Sequence, residues 1–167
     1  MGLHFAMVNT RGSLDFVEGW QRHHLIPKQC TRDARTRTFF ASMQTIGFRL
    51  NDFVTNGILL PSTYAAAEVA RLPVHSGPHP EYNMKIIDAV GLITRRFDFE
   101  ADRREGHAAL SYLRLIQARL RISMCQDLCP ISIDDIEAPA IGKASRVIDR
   151  ALDTLLFAEQ APILTLS

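Results

Sequence analysis

Apolar residues recur at helical spacing over most of the chain. The clearest helix begins at Pro80, since proline suits a first turn where its missing N–H would have no intrahelical partner. Ser62 is a candidate N-cap for a helix that starts one residue later, and Gly47 is a candidate C-terminal residue for a short helix before it. The apolar pattern predicts the main helices over residues 31–46, 80–93, 110–124 and 147–156.

Two short apolar runs that end in proline predict strands instead. The first covers residues 24–26 and stops at Pro27, and the second covers residues 58–60 and stops at Pro61. Proline cannot donate a hydrogen bond inside a central strand, so each run should be brief. Asn56-Gly57 precedes the second run and predicts a turn, because both residues tolerate positive φ. We expect the two runs to pair, which gives a mostly helical protein with a small sheet.

Composition and length indicate one folded domain over residues 1–167. Hydrophobic residues make up 47% of the chain and charged residues 22%, which is ordinary globular usage. The formal net charge of +1 gives no general sign of nucleic-acid binding. A local excess of cations, opposed only by Asp33, is formed by Arg22, Lys28, Arg32, Arg35, Arg37 and Arg49. Arg35 and Arg37 are therefore candidates for phosphate contact, although the same charges can simply keep a loop soluble.

The cysteines and the apolar runs disfavour a disulfide-rich protein and a membrane protein. Cys30, Cys125 and Cys129 leave an odd thiol, which indicates a reducing compartment or buried thiols and favours a cytoplasmic location. The last two share a helix face, where core packing is favoured over a zinc site. No run approaches the roughly 20 apolar residues that cross a bilayer, and no signal-peptide pattern opens the chain, so we expect a soluble protein with no membrane partner.

Four of the six histidines form two groups that point to metal and proton chemistry. His23 and His24 are adjacent on an extended segment and point to opposite sides, so one can bind metal while the other transfers a proton. His79 and Asn83 are four apart and share a helix face, which makes them possible further ligands. His75 also precedes His79 by four. A cation held by about three protein ligands keeps positions open for water and a phosphate oxygen.

The ordered pattern His23-His24, then Asn56-Gly57, then His79-Pro80-x-Tyr82-Asn83 resembles the HNH and endonuclease VII superfamily of nucleases. Within it, the chain most resembles the AHH family of bacterial toxin-type nucleases, although the namesake alanine is Arg22 here. The resemblance implies an α+β, mostly helical fold, in which a ββα-metal (HNH) motif carries additional packed helices. The nuclease core would span about residues 15–95, and a C-terminal helical part would span about residues 100–160.

The resemblance also implies roles for single residues. His24 would be the general base, Asn56 would brace the loop and orient His24, and Tyr82 would support the site or contact the scissile phosphate. Arg22 would place a cation beside the phosphate path. One divalent ion (Mg, Mn, Zn or Ni) would be held by His23, His79 and Asn83, with His75 as an alternate ligand or a phosphate contact.

The implied activity is that of a metal-dependent endonuclease that hydrolyses phosphodiester bonds. We expect a non-specific DNase, because no recognition helix is visible and binding should depend on backbone contacts. The family implies a toxin effector that is delivered into a target cell and has a cognate immunity protein. One alternative is a catalytically inactive nucleic-acid or protein binding module on an HNH scaffold. Another is a structural protein whose metal only stabilises the fold.

Overall fold

A computed structural model describes residues 2–75 and 77–125 of the protein. This part of the chain contains five α-helices and one two-stranded antiparallel sheet, which confirms the predicted α+β, mostly helical class. Two 3₁₀ turns, Phe5–Met7 and Lys28–Thr31, accompany these elements. In chain order the elements are β1 (Trp20–His24), α1 (Arg37–Thr45), α2 (Phe53–Asn56), β2 (Gly57–Pro61), α3 (Tyr64–Ala70), α4 (Pro80–Arg96) and α5 (Arg103–Cys125).

The first strand lies earlier in the chain than predicted. β1 pairs with β2 from Trp20 opposite Pro61 to His24 opposite Gly57. The apolar pair that marked the prediction, Leu25 and Ile26, lies beyond the strand and is fully buried. None of the five residues of β1 is aliphatic, and only His23 is buried, so hydrophobicity alone could not locate the strand.

The prediction of a turn at Asn56-Gly57 is wrong. Asn56 ends α2, a single helical turn whose N-cap is Asp52, and Gly57 has an extended φ of −121°. Glycine is needed at this position for space, because a Cβ atom on Gly57 would lie 2.2 Å from the ring of Phe53. The chain therefore enters β2 directly from a helix.

The cap of α3 lies one residue later than predicted. Thr63 accepts a hydrogen bond from the N–H of Ala66 through its hydroxyl, at 3.3 Å. The hydroxyl of Ser62 donates to the carbonyl of Gly19 instead, at 2.7 Å. Ser62 thus joins the residue before β1 to the residue after β2 and closes that end of the sheet.

The two helices with the strongest apolar period are confirmed. Pro80 is the first residue of α4, and the predicted region 110–124 lies within α5. Their apolar faces contribute Ile87, Val90 and Leu113 to the core. The helix predicted over residues 147–156 and Cys129 lie outside the described residues. No helix that the structure describes is long and apolar enough to traverse a bilayer.

Candidate functional site

Three histidines from two distant segments of the sequence meet beside the sheet. His23 comes from the end of β1, His75 from the connection after α3, and His79 from the residue before α4. One ring nitrogen from each lies within 4.8 Å of the others. The ring centroids are 5.0 Å apart for His23 and His75, 5.8 Å for His23 and His79, and 4.5 Å for His75 and His79. The cluster is thus compact enough for one ion.

Backbone contacts explain why the second histidine group lies against the first. The N–H of His75 donates to the carbonyl of Pro61, the last residue of β2, at 2.7 Å. Pro61 is opposite Trp20 in the sheet, so this bond holds the His75 segment at the strand edge. His79 is the N-cap of α4, and Pro80 fixes where that helix begins.

One ring nitrogen of the cluster is oriented by a residue that the sequence analysis missed. Nδ1 of His75 lies 2.9 Å from Oε1 of Gln21, and because that oxygen only accepts, Nδ1 carries the proton and Nε2 keeps its lone pair. Gln21 is two residues before His23, and alternate residues of a strand share a face. This spacing could have identified Gln21 as a partner, as outer hydrogen bonds commonly orient metal-binding imidazoles.

The donor set fits a metal ion. Nε2 of His23 is buried and has no hydrogen-bond partner in the described part of the chain, which is costly for a polar atom unless something binds it. Three imidazoles on one ion, with bonds of about 2.0–2.1 Å, would place their nitrogens about 3.4 Å apart. The observed limit of 4.8 Å differs from this by an amount that small side-chain rotations can close.

His23 and His75 are held in the neutral form that metal binding requires. Burial lowers the pKa of His23 well below its usual value, and the neighbouring His75, His79 and His24 lower it further. Burial, followed by the proximity of His79, lowers the pKa of His75 to about 4. At neutral pH these imidazoles therefore keep a lone pair for a cation.

We expect the metal-free protein to lose stability as the pH falls below about 6.5. The unfolded chain takes up protons on His23, His24 and His75 near that pH, whereas their folded-state pKa values are lower. The unfolded state then binds more protons, so stability decreases until the folded-state pKa values are reached. Protonation of His23 in the unfolded chain should alone lower the free energy of unfolding by about 1.4 kcal/mol for each unit of pH in this range.

Urea unfolding in the presence of chelator, at about pH 7.5 and about pH 5.5, measures this loss. His23→Leu should reduce the slope of stability against pH, because the variant lacks one of the protonating groups. A wild-type protein that is equally stable at both pH values would contradict the expectation.

His24 lies outside the cluster, in a separate environment. Its ring stacks on Phe5, with centroids 3.6 Å apart and planes within 6°. Its Nε2 lies 3.3 Å from Oδ1 of Asn51. Burial lowers the pKa of His24 to about 4, the hydrogen bond to Asn51 raises it in part, and nearby Lys28 lowers it again. A neutral imidazole of this kind can accept a proton.

Asn56 fixes backbone rather than the His24 ring. Its Oδ1 accepts from the N–H of Ile26 at 2.8 Å and from Nε2 of Gln117 at 2.9 Å. Its Nδ2 donates to the carbonyls of Ile26 at 3.1 Å and Leu50 at 2.9 Å. The hydrogen bond to the His24 ring comes from Asn51, so Asn56 braces the loop but does not contact the ring that it was predicted to orient.

Tyr82 and Asn83, the two residues of α4 predicted to belong to the site, each form a hydrogen bond with another part of the chain. Tyr82 is fully buried, and its hydroxyl donates to the carbonyl of Leu25 at 2.6 Å, so contact with a phosphate is excluded. Its ring lies 5.0 Å from that of His23, a position suited to support. Nδ2 of Asn83 donates to Oε1 of Gln29 at 3.2 Å, and its role as a ligand stays a prediction.

The three arginines predicted to bind nucleic acid differ in their environment. The guanidinium of Arg22 donates to the carbonyl of Phe5 at 2.8 Å. Arg35 contacts the carboxylates of Asp33 at 3.0 Å and Asp88 at 2.8 Å, which offset its charge. Arg37 begins α1 and is exposed. Of the three, Arg37 keeps the environment best suited to phosphate, and nucleic-acid contact stays a prediction for all of them.

Comparison with known proteins identifies the family. Residues 8–120 match the AHH family, described as a nuclease family of the HNH/ENDO VII superfamily with conserved AHH. The match covers more than half of the chain and includes the three clustered histidines and His24. No curated protein and no solved structure matches the chain. The chain therefore belongs to the AHH family of nucleases in the HNH/ENDO VII superfamily.

Proposed function

We propose that the protein is a metal-dependent endonuclease that hydrolyses phosphodiester bonds, with DNA as its substrate and little sequence preference. Membership of the AHH family supports nuclease chemistry on nucleic acid. The observation that carries the metal dependence is the cluster of His23, His75 and His79, in which Nε2 of His23 is buried and lacks a hydrogen-bond partner among the described residues.

We further propose that β1, β2 and α4 form a ββα-metal motif. The support is topological: the strands are antiparallel, His23 is next to the last residue of β1, and His79 immediately precedes α4. The predicted core over about residues 15–95 contains these elements. Gln117 of α5, which hydrogen-bonds Asn56, lies beyond that core and supports its central loop.

The donor set favours a transition metal over magnesium. His23, His75 and His79 would hold the ion, and imidazole suits zinc and nickel, whereas magnesium takes oxygen ligands. When bound, the cation would supply positive charge against the charge that develops on the phosphate and the leaving oxygen. Zinc and nickel are therefore the best candidates among the four ions that the resemblance implies.

The protein's own residues supply proton transfer and substrate binding. His24 is neutral near pH 7 and can accept a proton from the attacking water. The cations Lys28, Arg32 and Arg37 are exposed and would bind phosphates, a mode that carries little sequence information. No described residue bears on delivery or on an immunity protein, so the toxin role stays a prediction of the resemblance.

Plasmid cleavage under controlled metal content tests this function. Chelated protein should leave a supercoiled plasmid intact, and added zinc or nickel should restore nicking more effectively than magnesium, because of the imidazole donors. Cleavage should weaken steeply with salt, as expected for binding through phosphates. The matched control is His107→Ala, which removes an exposed histidine of α5 and should cleave like the wild type.

An intact plasmid under every metal, from protein shown to be folded, would contradict the endonuclease. Retained DNA binding in that experiment would favour the inactive binding module. Cleavage that survives full chelation would instead contradict the metal dependence.

A further inference from the structure

A segment outside the residues that match the family runs alongside His24. This segment, residues 3–5, is named here the strap. The carbonyl of Leu3 accepts from the N–H of Phe53 at 2.6 Å, and the N–H of Phe5 donates to the carbonyl of Asn51 at 3.0 Å. His4 forms an isolated antiparallel bridge with Asp52. The strap is thereby joined to the chain just before β2.

We propose that the strap holds the ring of His24 in the orientation and tautomer needed for proton transfer. Phe5 and Asn51 act as positioning residues, and Arg22 secures the strap to β1. This inference rests on the proposed function, in which His24 is the general base. It adds Phe5 and Asn51, which lie outside the AHH pattern, and it gives Arg22 a role other than phosphate contact.

Phe5 fixes the plane of the His24 ring. The two rings are nearly parallel at 3.6 Å, so rotation of the imidazole out of this plane would lose the contact. Phe5 is itself buried, and the ring of Phe53 packs against it edge-on at a centroid distance of 5.0 Å. The stacking surface therefore cannot turn freely, and the imidazole is held against a rigid platform.

Asn51 fixes which nitrogen of His24 carries the proton. Its Oδ1 lies 3.3 Å from Nε2 and can only accept, so Nε2–H donates and Nδ1 keeps the lone pair. The backbone carbonyl of Asn51 also accepts from the N–H of Phe5. One residue thus holds both the strap and the ring, and the opposite tautomer would place a proton where the base needs a lone pair.

Arg22 links this arrangement to a departure from the family pattern. The family is named for an alanine at the position that Arg22 occupies, and the guanidinium of Arg22 donates to the carbonyl of Phe5 at 2.8 Å. Arg22 and His24 alternate on β1 and share a face of the strand. An alanine side chain has no donor for this bond, so the attachment of the strap to β1 depends on the arginine.

Steady-state cleavage by variants of the full chain tests the inference. Phe5→Leu keeps the apolar side chain without the flat ring, and Asn51→Ala removes the acceptor. Each should lower kcat by between about 10- and 100-fold, the effect of slight misplacement of a reacting group, while KM and metal affinity stay unchanged. The conservative substitutions Phe5→Tyr and Asn51→Asp keep the aromatic ring and the acceptor, respectively, and each should keep most of the wild-type kcat. Met7→Ala, in an exposed side chain two residues after the strap, is the matched control.

Arg22→Ala distinguishes the two roles open to this arginine. If Arg22 secures the strap through its hydrogen bond to Phe5, the substitution lowers kcat. If Arg22 contacts a phosphate, the substitution raises KM and reduces the salt dependence of cleavage. A lower kcat at unchanged KM supports the inference. A change in KM alone overturns the role given to Arg22.

Nuclear magnetic resonance of the His24 ring gives a readout that is independent of cleavage. The wild type should show the Nε2-protonated tautomer and ring protons shifted by the stacked Phe5, and Asn51→Ala should show a mixture of tautomers. Unchanged kcat in Phe5→Leu and Asn51→Ala, with an active wild type, overturns the inference alone. A wild type that shows these signatures but cleaves nothing with any metal overturns the proposed function, and with it the role of His24 as base.

Discussion

Replacing His23 by alanine is expected to abolish both metal binding and DNA cleavage. His23 supplies one of the three imidazoles of the cluster, and it is the member that lies at the end of β1. Two histidines without it leave too few protein ligands for a catalytic metal, which commonly has three. Because a bound metal supplies several kcal/mol of transition-state stabilisation, cleavage should fall by about 10³-fold or more.

The gain in thermal stability on addition of metal tests whether His23→Ala has lost metal binding. At a free metal concentration of about 100 times the dissociation constant, the wild type should gain about 2.7 kcal/mol, or about 5–10 °C in Tm. His23→Ala should show no such gain, and His107→Ala should behave like the wild type. A variant that still binds zinc with unchanged affinity and is stabilised by it would exclude His23 as a ligand.

The parts of the fold that depend on local chemistry could be predicted from the sequence. α4 begins at Pro80 because proline fixes the backbone angle of a first turn, and its apolar face has the helical period. The order of histidine, asparagine and histidine identified the family through residues close to the site. These signals lie in short segments and need no knowledge of distant contacts.

The position of β1 is set by its pairing with β2, a partner that lies outside any short window of sequence around β1. The apolar pair Leu25-Ile26 marked a strand at positions 24–26, but the strand spans Trp20–His24, contains no aliphatic residue and pairs with β2. Leu25 and Ile26 instead fill the core beyond the strand. Hydrophobicity reports where a residue is buried, whereas pairing is decided by the partner strand, here more than thirty residues away.

The same reason explains which site contacts were missed. Gly77 and Pro78 lie between His75 and His79 and disfavour a regular helical turn, yet a backbone bond from His75 to Pro61 brings the two rings together without a helix. Phe5 and Asn51 reach His24 from segments nineteen and twenty-seven residues away, as the sequence numbers show. Only the folded arrangement places these side chains on one imidazole.

Replacing His24 by alanine separates the chemistry of proton transfer from metal binding. The ring of His24 is not part of the three-histidine cluster, so the variant should keep the affinity of the wild type for zinc and its metal-dependent gain in Tm. Its kcat should fall by about 10²- to 10⁴-fold, the usual contribution of a general base, with little change in KM.

Added imidazole offers a direct check, because the stack on Phe5 and the acceptor of Asn51 would remain in the His24→Ala variant as a place for a free imidazole ring. Partial recovery of kcat with imidazole, in His24→Ala but not in His23→Ala, would assign proton transfer to His24. A His24→Ala variant that cleaves DNA at the wild-type rate would mean that another group activates water. A variant that loses its metal would instead place His24 among the ligands.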